Sequence, residues 1–183
     1  AASDVYKRQT HSGSHIRDGI DLKRTMFTVI VALIPALLFG MWNVGDQYYA
    51  SLSVDADLMA KLIIGANKVI PLIIVSYGVG LGIEFVFAGL RNHSINEGFL
   101  VSGMLIPLVM PVDVPLWMVA IAVTFAVIIG KEVFGGTGMN IINIALTARA
   151  FLFFAYPKQM SGEIWIHNID STKNAGILVD GYT

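Results

Sequence analysis

TMFTVIVALIPALLFGMWNVG, residues 25–45, is a run of 21 residues without one charged side chain. At about 20 residues per crossing it is long enough to span a bilayer as a single α-helix. It does not alternate apolar with polar positions, as a membrane barrel strand would. Lipid offers the backbone no hydrogen-bond partners, so such a run must satisfy its own N–H and C=O groups, and a helix does that. Pro35 lies inside the run and predicts a kink.

The remainder of the chain repeats this pattern. Residues 69–90 are apolar except for Glu84 and predict a second span. Residues 99–112 and 114–130 are two further uncharged runs, separated at a turn reading MPVDVP (110–115). The first of these has 14 residues, about 21 Å of helix, short of a hydrocarbon core of about 30 Å. Short segments interrupted by Gly or Pro are typical of membrane proteins that build a site near the midplane. Residues 141–157 form a fifth apolar run, broken by Arg149. Beyond Pro157 the chain turns polar and loop-like.

Composition agrees. Of 183 residues, 55% are hydrophobic and 14% charged, against about 25% charged in a typical soluble domain. The chain contains no cysteine, which excludes thiolate metal sites, iron–sulfur ligation by this chain and disulfides. A net charge of −1 gives no general attraction to nucleic acid, so none is expected as a partner. His11, His15, His93 and His167 show no ligand spacing, and no metal site is expected. Residues 1–14 lack the apolar core of a signal peptide and read as a non-native or disordered leader.

Lys and Arg near the span ends set sidedness. Arg17, Lys23 and Arg24 precede the first run, Arg91 follows the second, and Lys131 follows the fourth. The intervening links carry Asp46, Asp55, Asp57 and Asp113 together with Lys61 and Lys68. The N-terminal segment (15–24), the 91–98 link and residues 131–140 are therefore expected in the cytoplasm. Residues 46–68, the 110–115 turn and residues 158–183 are expected outside, around a transmembrane domain of residues 25–157. Trp42, Trp117 and Trp165 all fall near expected membrane ends, where amphipathic rings anchor spans.

Several polar features need a reason. KEVFGGTGMN (131–140) lacks the Lys-Ser/Thr that ends a nucleotide P-loop, and no strand precedes it. Its glycines suit a tight turn with positive φ. Asn140 and Asn143, three apart as on one helical face, suit either a helix cap or the edge of a buried heteroaromatic ligand. Glu84 is expensive in an apolar span and a functional role is the default reading; the alternative is that it reaches cytoplasmic water, being seven residues from Arg91. Arg149 could pair with Glu84, bind an anionic group, or mark the mouth of a wet cavity. Phe151, Phe153, Phe154 and Tyr156 suit a lipid-facing belt or the wall beside a flat cofactor.

HIRDGIDLKR (15–24), INEGFL (95–100), KEVFGGTGMN (131–140), ALTARAFLFFAYP (145–157) and VDGY (179–182) occur together in this order. With them the chain closely resembles the B subunit of the bacterial Na+-translocating NADH:quinone oxidoreductase, from about residue 15 to the end. The D subunit of ion-pumping ferredoxin:NAD complexes shares the architecture but matches HIRDGIDLKR and FLFFAYP less well. The resemblance implies an all-α polytopic membrane protein with about five transmembrane helices, some short or broken. It also implies one half of a larger inverted-repeat-like subunit of an inner-membrane complex, here an N-terminal part with an odd count of crossings.

By the same resemblance, electrons pass from covalent FMN through non-covalent riboflavin toward quinone, coupled to sodium (Na+) export. Other membrane subunits, NADH-oxidising subunits and lipid are the implied partners. Asn140 and Asn143 fall beside riboflavin. Gly80 and Leu81 match a Gly-Gly pair associated with quinone, with the second position departing from it. Glu84 matches an acidic position linked to sodium uptake. The FMN acceptor is the Thr of a Ser-Gly-Ala-Thr motif after Asp-Gly-Tyr; Thr183 stands where the Ser would be, so the acceptor lies beyond it. A Pro often follows the second amide of the flavin block, where this chain has Ile144. No dinucleotide fingerprint occurs in the sequence, so NADH oxidation is expected of a different subunit. A channel or carrier for small solutes is the competing reading, since broken helices with midplane amides suit it too.

Reporter fusions after residues 45 and 160 are expected to register as external, and fusions after 93 and 135 as cytoplasmic. A cytoplasmic signal at 160 would overturn the five-crossing arrangement.

Overall fold

The computed structural model describes residues 19, 22–91, 98–135 and 139–160. Regular structure among them is helical throughout. Helix α1 spans Leu22–Ser51, α2 Leu58–Arg91, α3 Phe99–Val109, α4 Leu116–Val127 and α5 Ile144–Ala155. A π-helical turn, Ile128–Glu132, prolongs α4, and a 3-10 turn, Pro157–Gln159, follows α5. The chain is an all-α membrane protein, as its sequence predicts.

α1 and α2 have 30 and 34 residues, or about 45 and 51 Å of helix. Both are long and apolar enough to cross a membrane. The expected link of residues 46–68 shrinks to residues 52–57, because the helices continue through most of it. Asp46 and Lys61 explain the extension: they pair across the hairpin at 2.6 Å, so each helix carries a neutralised charge past the apolar zone. α1 lies at the margin of the bundle, with Phe27, Val31, Ile34, Leu38 and Phe39 all exposed. In water that surface would be a severe liability; against lipid tails it is matched.

α1 and α2 touch through their backbones. A methyl group added to Gly45 would collide with the carbonyl of Lys61, and one added to Gly65 with the carbonyl of Met41. The two contacts are reciprocal, each glycine standing four residues from the backbone that the other touches. Lipid gives no hydrophobic drive to helix association, so close van der Waals approach through small residues does that work.

The core lies among the other helices. α4 buries Met118, Val119, Ala122, Val123, Ala126 and Val127, a stripe of pairs repeating every four residues. Ala145, Ala148 and Leu152 of α5 pack on the same cluster, with Phe99 and Ile106 of α3 and Leu72 of α2. α3 has 11 residues and α5 has 12, about 17–18 Å each, so both remain shorter than the apolar core of a bilayer. Ser76 of α2 donates to the Gly103 carbonyl at 3.0 Å, and the Tyr77 hydroxyl donates to the Leu100 carbonyl at 2.6 Å. Lys68 of α2 pairs with Asp113 of the 110–115 turn at 2.9 Å. That turn therefore sits at the same end of the bundle as the 52–57 link, as the charge pattern requires.

Gly65→Ala is expected to destabilise the detergent-solubilised protein by about 1–3 kcal/mol, the usual cost of overpacking. Gly82, which has open space around it, is the control: Gly82→Ala should be neutral or stabilising by about 0.5–1 kcal/mol. Equal thermal midpoints for the two variants would remove the close-contact account of the hairpin.

Candidate functional site

Glu84 lies about two turns before the end of α2, at the end of the bundle opposite the Lys68–Asp113 pair. Its side chain is 4% exposed, so it does not reach out to water. Lys131 meets it there, its ammonium donating to Glu84 Oε1, and is also 4% exposed. Sequence pattern offers Arg149 as a partner for Glu84; the structure supplies Lys131 instead, and Arg149 is exposed on α5. Charge pattern alone puts Lys131 in a cytoplasmic turn. It is instead part of the helical extension of α4, together with Glu132, which is 3% exposed.

The local reason is visible in α4. Its buried pairs at 118/119, 122/123 and 126/127 continue onto 130/131. At Ile128–Glu132 the helix widens, and the Val133 N–H reaches the Ile128 carbonyl five residues back at 2.9 Å. More residues per turn keep Gly130, Lys131 and Glu132 all facing inward. Such π turns recur at functional sites in helices. The four-residue stripe is the sequence signal that could have revealed Lys131 as buried.

Glu84 Oε2 is buried and has no hydrogen-bond partner among the described residues. The pair is thus only half satisfied on its acidic side. In an apolar bundle, removing one member of such a pair leaves an uncompensated charge and costs about 3–5 kcal/mol. Each residue is thus the main compensation for the charge of the other.

Gly80 stands one turn before Glu84 on α2. The Phe99 ring lies on it so closely that a methyl group at Gly80 would overlap the ring. Leu81 is half-buried and packs against the main core.

Asn140 and Asn143 both precede α5, so they do not share a helical face. Asn143 is the cap of that helix: its Oδ1 accepts from the N–H groups of Ala145 at 3.0 Å and Leu146 at 3.2 Å. Its amide Nδ2 has no hydrogen bond among the described residues. Asn140 is exposed and its Nδ2 donates to the Ile142 carbonyl at 3.5 Å. Ile144, the position for which the sequence resemblance implies a Pro, is the first residue of α5. A proline would be tolerated there, because that N–H has no intrahelical partner. Gly135 takes φ +111°, the positive φ that only glycine adopts readily. Gly136, Thr137 and Gly138 lie outside the described residues, as do the histidines, Trp165, residues 92–97 and the 161–183 segment with Thr183.

The aromatic cluster divides. Phe151 stacks on Phe125 of α4 with centroids 4.5 Å apart and planes 21° from parallel. Tyr156 meets Trp117 edge-on at 5.7 Å, while Phe153 and Phe154 are exposed. Phe125, Thr147, Ala150, Phe151, Phe154 and Ala155 line an open, almost wholly apolar cavity of about 450 Å³ between α4 and α5. Thr147, on its rim, donates through Oγ1 to the Asn143 carbonyl at 2.8 Å. The cavity and the Asn143 amide are therefore one helical turn apart. No cluster of three or more His, Cys, Asp or Glu able to hold a metal ion occurs among the described residues.

Residues 9–181 match the NQR2, RnfD, RnfE family. This chain belongs to that family. It is 43% identical to the B subunit of the Na(+)-translocating NADH-quinone reductase of Stutzerimonas stutzeri, over 94% of this chain and 49% of that protein. It is 44% identical to the subunit of the same name from Ectopseudomonas mendocina, over 85% of this chain and 45% of the relative. The corresponding protein of Chlamydia abortus is 39% identical over 96% of this chain and 41% of its own length. The chain thus spans about half or less of the length of these curated relatives.

Proposed function

We propose that this chain serves as a membrane subunit of a sodium-translocating NADH:quinone oxidoreductase, with its N-terminus on the cytoplasmic side of the bacterial inner membrane. The observation that carries the reading is the buried Glu84–Lys131 pair with its unmet carboxylate oxygen, inside a bundle whose relatives are named for moving Na+. An ionisable pair is costly in a bilayer and is kept where ions or protons are handled. Glu84 is the sodium-handling residue. NADH oxidation falls to other subunits, and quinone is the electron acceptor.

Riboflavin fits the α4–α5 region. The open apolar depression between α4 and α5 offers an aromatic wall that suits one face of a flat ring. Asn143 can donate from Nδ2 to a ring edge while its Oδ1 caps α5. When bound, riboflavin supplies electron transfer through the membrane layer. The role of this chain is to hold the ring, align its edge and keep water from its face. Covalent FMN belongs to the segment around residues 179–183 and beyond. Gly80 and Leu81 are the quinone-contact candidates; a quinone ring can lie on Gly80 only if Phe99 swings away from it.

A solute channel would use the same broken helices, but it gives no reason for an aromatic cavity beside an uncommitted amide. Membership of a family that also includes RnfD and RnfE keeps a ferredoxin:NAD complex as the second reading. Sodium-stimulated electron transfer from NADH to quinone by the assembled complex distinguishes the two.

Glu84→Gln, in the full-length subunit within its complex, is expected to raise the sodium needed for half-maximal quinone reduction about tenfold, as loss of one charged contact would, with normal flavin content. An unchanged sodium requirement would return Glu84 to a structural role.

Asn143→Asp retains the cap acceptor but removes the amide donor. Asn143 is exposed in the absence of ligand, so the variant loses one hydrogen bond of about 0.5–1.5 kcal/mol; non-covalent riboflavin retention should fall roughly two- to ten-fold and covalent FMN stay intact. Full riboflavin content in this variant would mean that Asn143 is a helix cap alone.

A further inference from the structure

A buried ion pair that served only to lock two helices would be expected to satisfy both carboxylate oxygens, because the unmet one bears a desolvation cost. Here Oε1 of Glu84 takes the Lys131 ammonium while Oε2, equally buried, has no partner among the described residues. Lys131 also stands on a π turn and not on a regular α-helical one. Glu132, buried beside it, has an interaction of its own. The exchangeable set is therefore one carboxylate and one ammonium, with one carboxylate oxygen left available.

We propose that Lys131 is a tethered competitor of the transported cation: its ammonium holds Glu84 when no ion is bound, and an incoming monovalent cation displaces it. The inference rests on the reading of Glu84 as the sodium-handling residue. Oε2 is the landing position. A cation arriving there meets the repulsion of the ammonium on Oε1, and the lysine withdraws along its flexible four-carbon stem toward the near end of α4. The exchange is charge-neutral, one unit positive charge for another, so the apolar surroundings never contain a bare carboxylate. A divalent ion would leave an excess positive charge and is disfavoured for that reason. Lys131 is thus a positioning residue for the ion step. It touches neither quinone nor flavin.

Two substitutions shift the exchange in opposite directions. Lys131→Gln removes the competing charge. Lys131→Arg places a planar fork of donors there, able to engage both carboxylate oxygens, and holds Glu84 more firmly. In the full-length subunit within the assembled complex, half-maximal sodium for quinone reduction is expected to fall about tenfold with Gln and rise about tenfold with Arg, one charged contact being gained or lost. Flavin content and complex yield serve as the assembly controls. A merely structural counter-ion would alter yield without moving sodium dependence in opposite senses. If both variants keep the wild-type sodium requirement while Glu84→Gln shifts it, the competitor role is overturned and the role of Glu84 stands. If Glu84→Gln does not shift it either, the reading of Glu84 fails as well. Should the Gln variant not assemble, a wild-type sodium requirement in Lys131→Arg overturns the proposal on its own.

Discussion

A charge carried into an apolar bundle must bring its counter-charge, and this requirement ties α2 to α4. Glu84 has no water to turn to at 4% exposure, and Lys131 is buried to the same extent. Once the two meet, the depth of α2 relative to α4 is set, because a slip by one turn would leave both charges uncompensated in a medium of low dielectric. The alanine-rich stripe of α4 lets the helices approach closely enough for that contact, and Gly80 lets the Phe99 ring of α3 lie against α2 just before it.

The opposite end obeys a looser version of the same rule. Asp46–Lys61 and Lys68–Asp113 are partly exposed, and exposed pairs contribute only about 0–1 kcal/mol. Their effect is on registration more than on stability: they hold the α1–α2 hairpin and the 110–115 turn at one level. Between the two ends, contact comes from small residues and buried aromatic rings. Long helices give the chain its span, while an open depression lies between α4 and α5.

Asn143 has atoms for both its structural role and the ligand role proposed for it. Its carbonyl oxygen is committed to α5 by two hydrogen bonds, which is what a helix start on an apolar segment demands. Its amide nitrogen meets no partner among the described residues, one turn from a cavity walled by Phe125 and Phe151. The cap and the proposed ligand donor use different atoms. They are not competing explanations.

The amino-acid sequence by itself determined the all-helical membrane class, the order of the apolar runs, Glu84 as an ionisable residue within an apolar span, and the family signature. Those properties depend on local composition and spacing: an uncharged run of 21 residues has few alternatives to a membrane helix. The tertiary structure alone decided the partner of Glu84. Lys131 is 47 positions away in the chain, and adjacent to a glycine-rich segment it reads as a charge at a membrane end. Pairing at that range depends on how helices stack, and neither hydropathy nor charge counts contain that information. The same holds for the length of α1 and α2, which outrun their apolar cores because Asp46 and Lys61 neutralise each other across the hairpin. It holds too for the depression between α4 and α5, whose lining includes the stacked rings of Phe125 and Phe151. Local pattern specifies which segments become helices; the balance of charges and volumes between helices specifies which side chains meet.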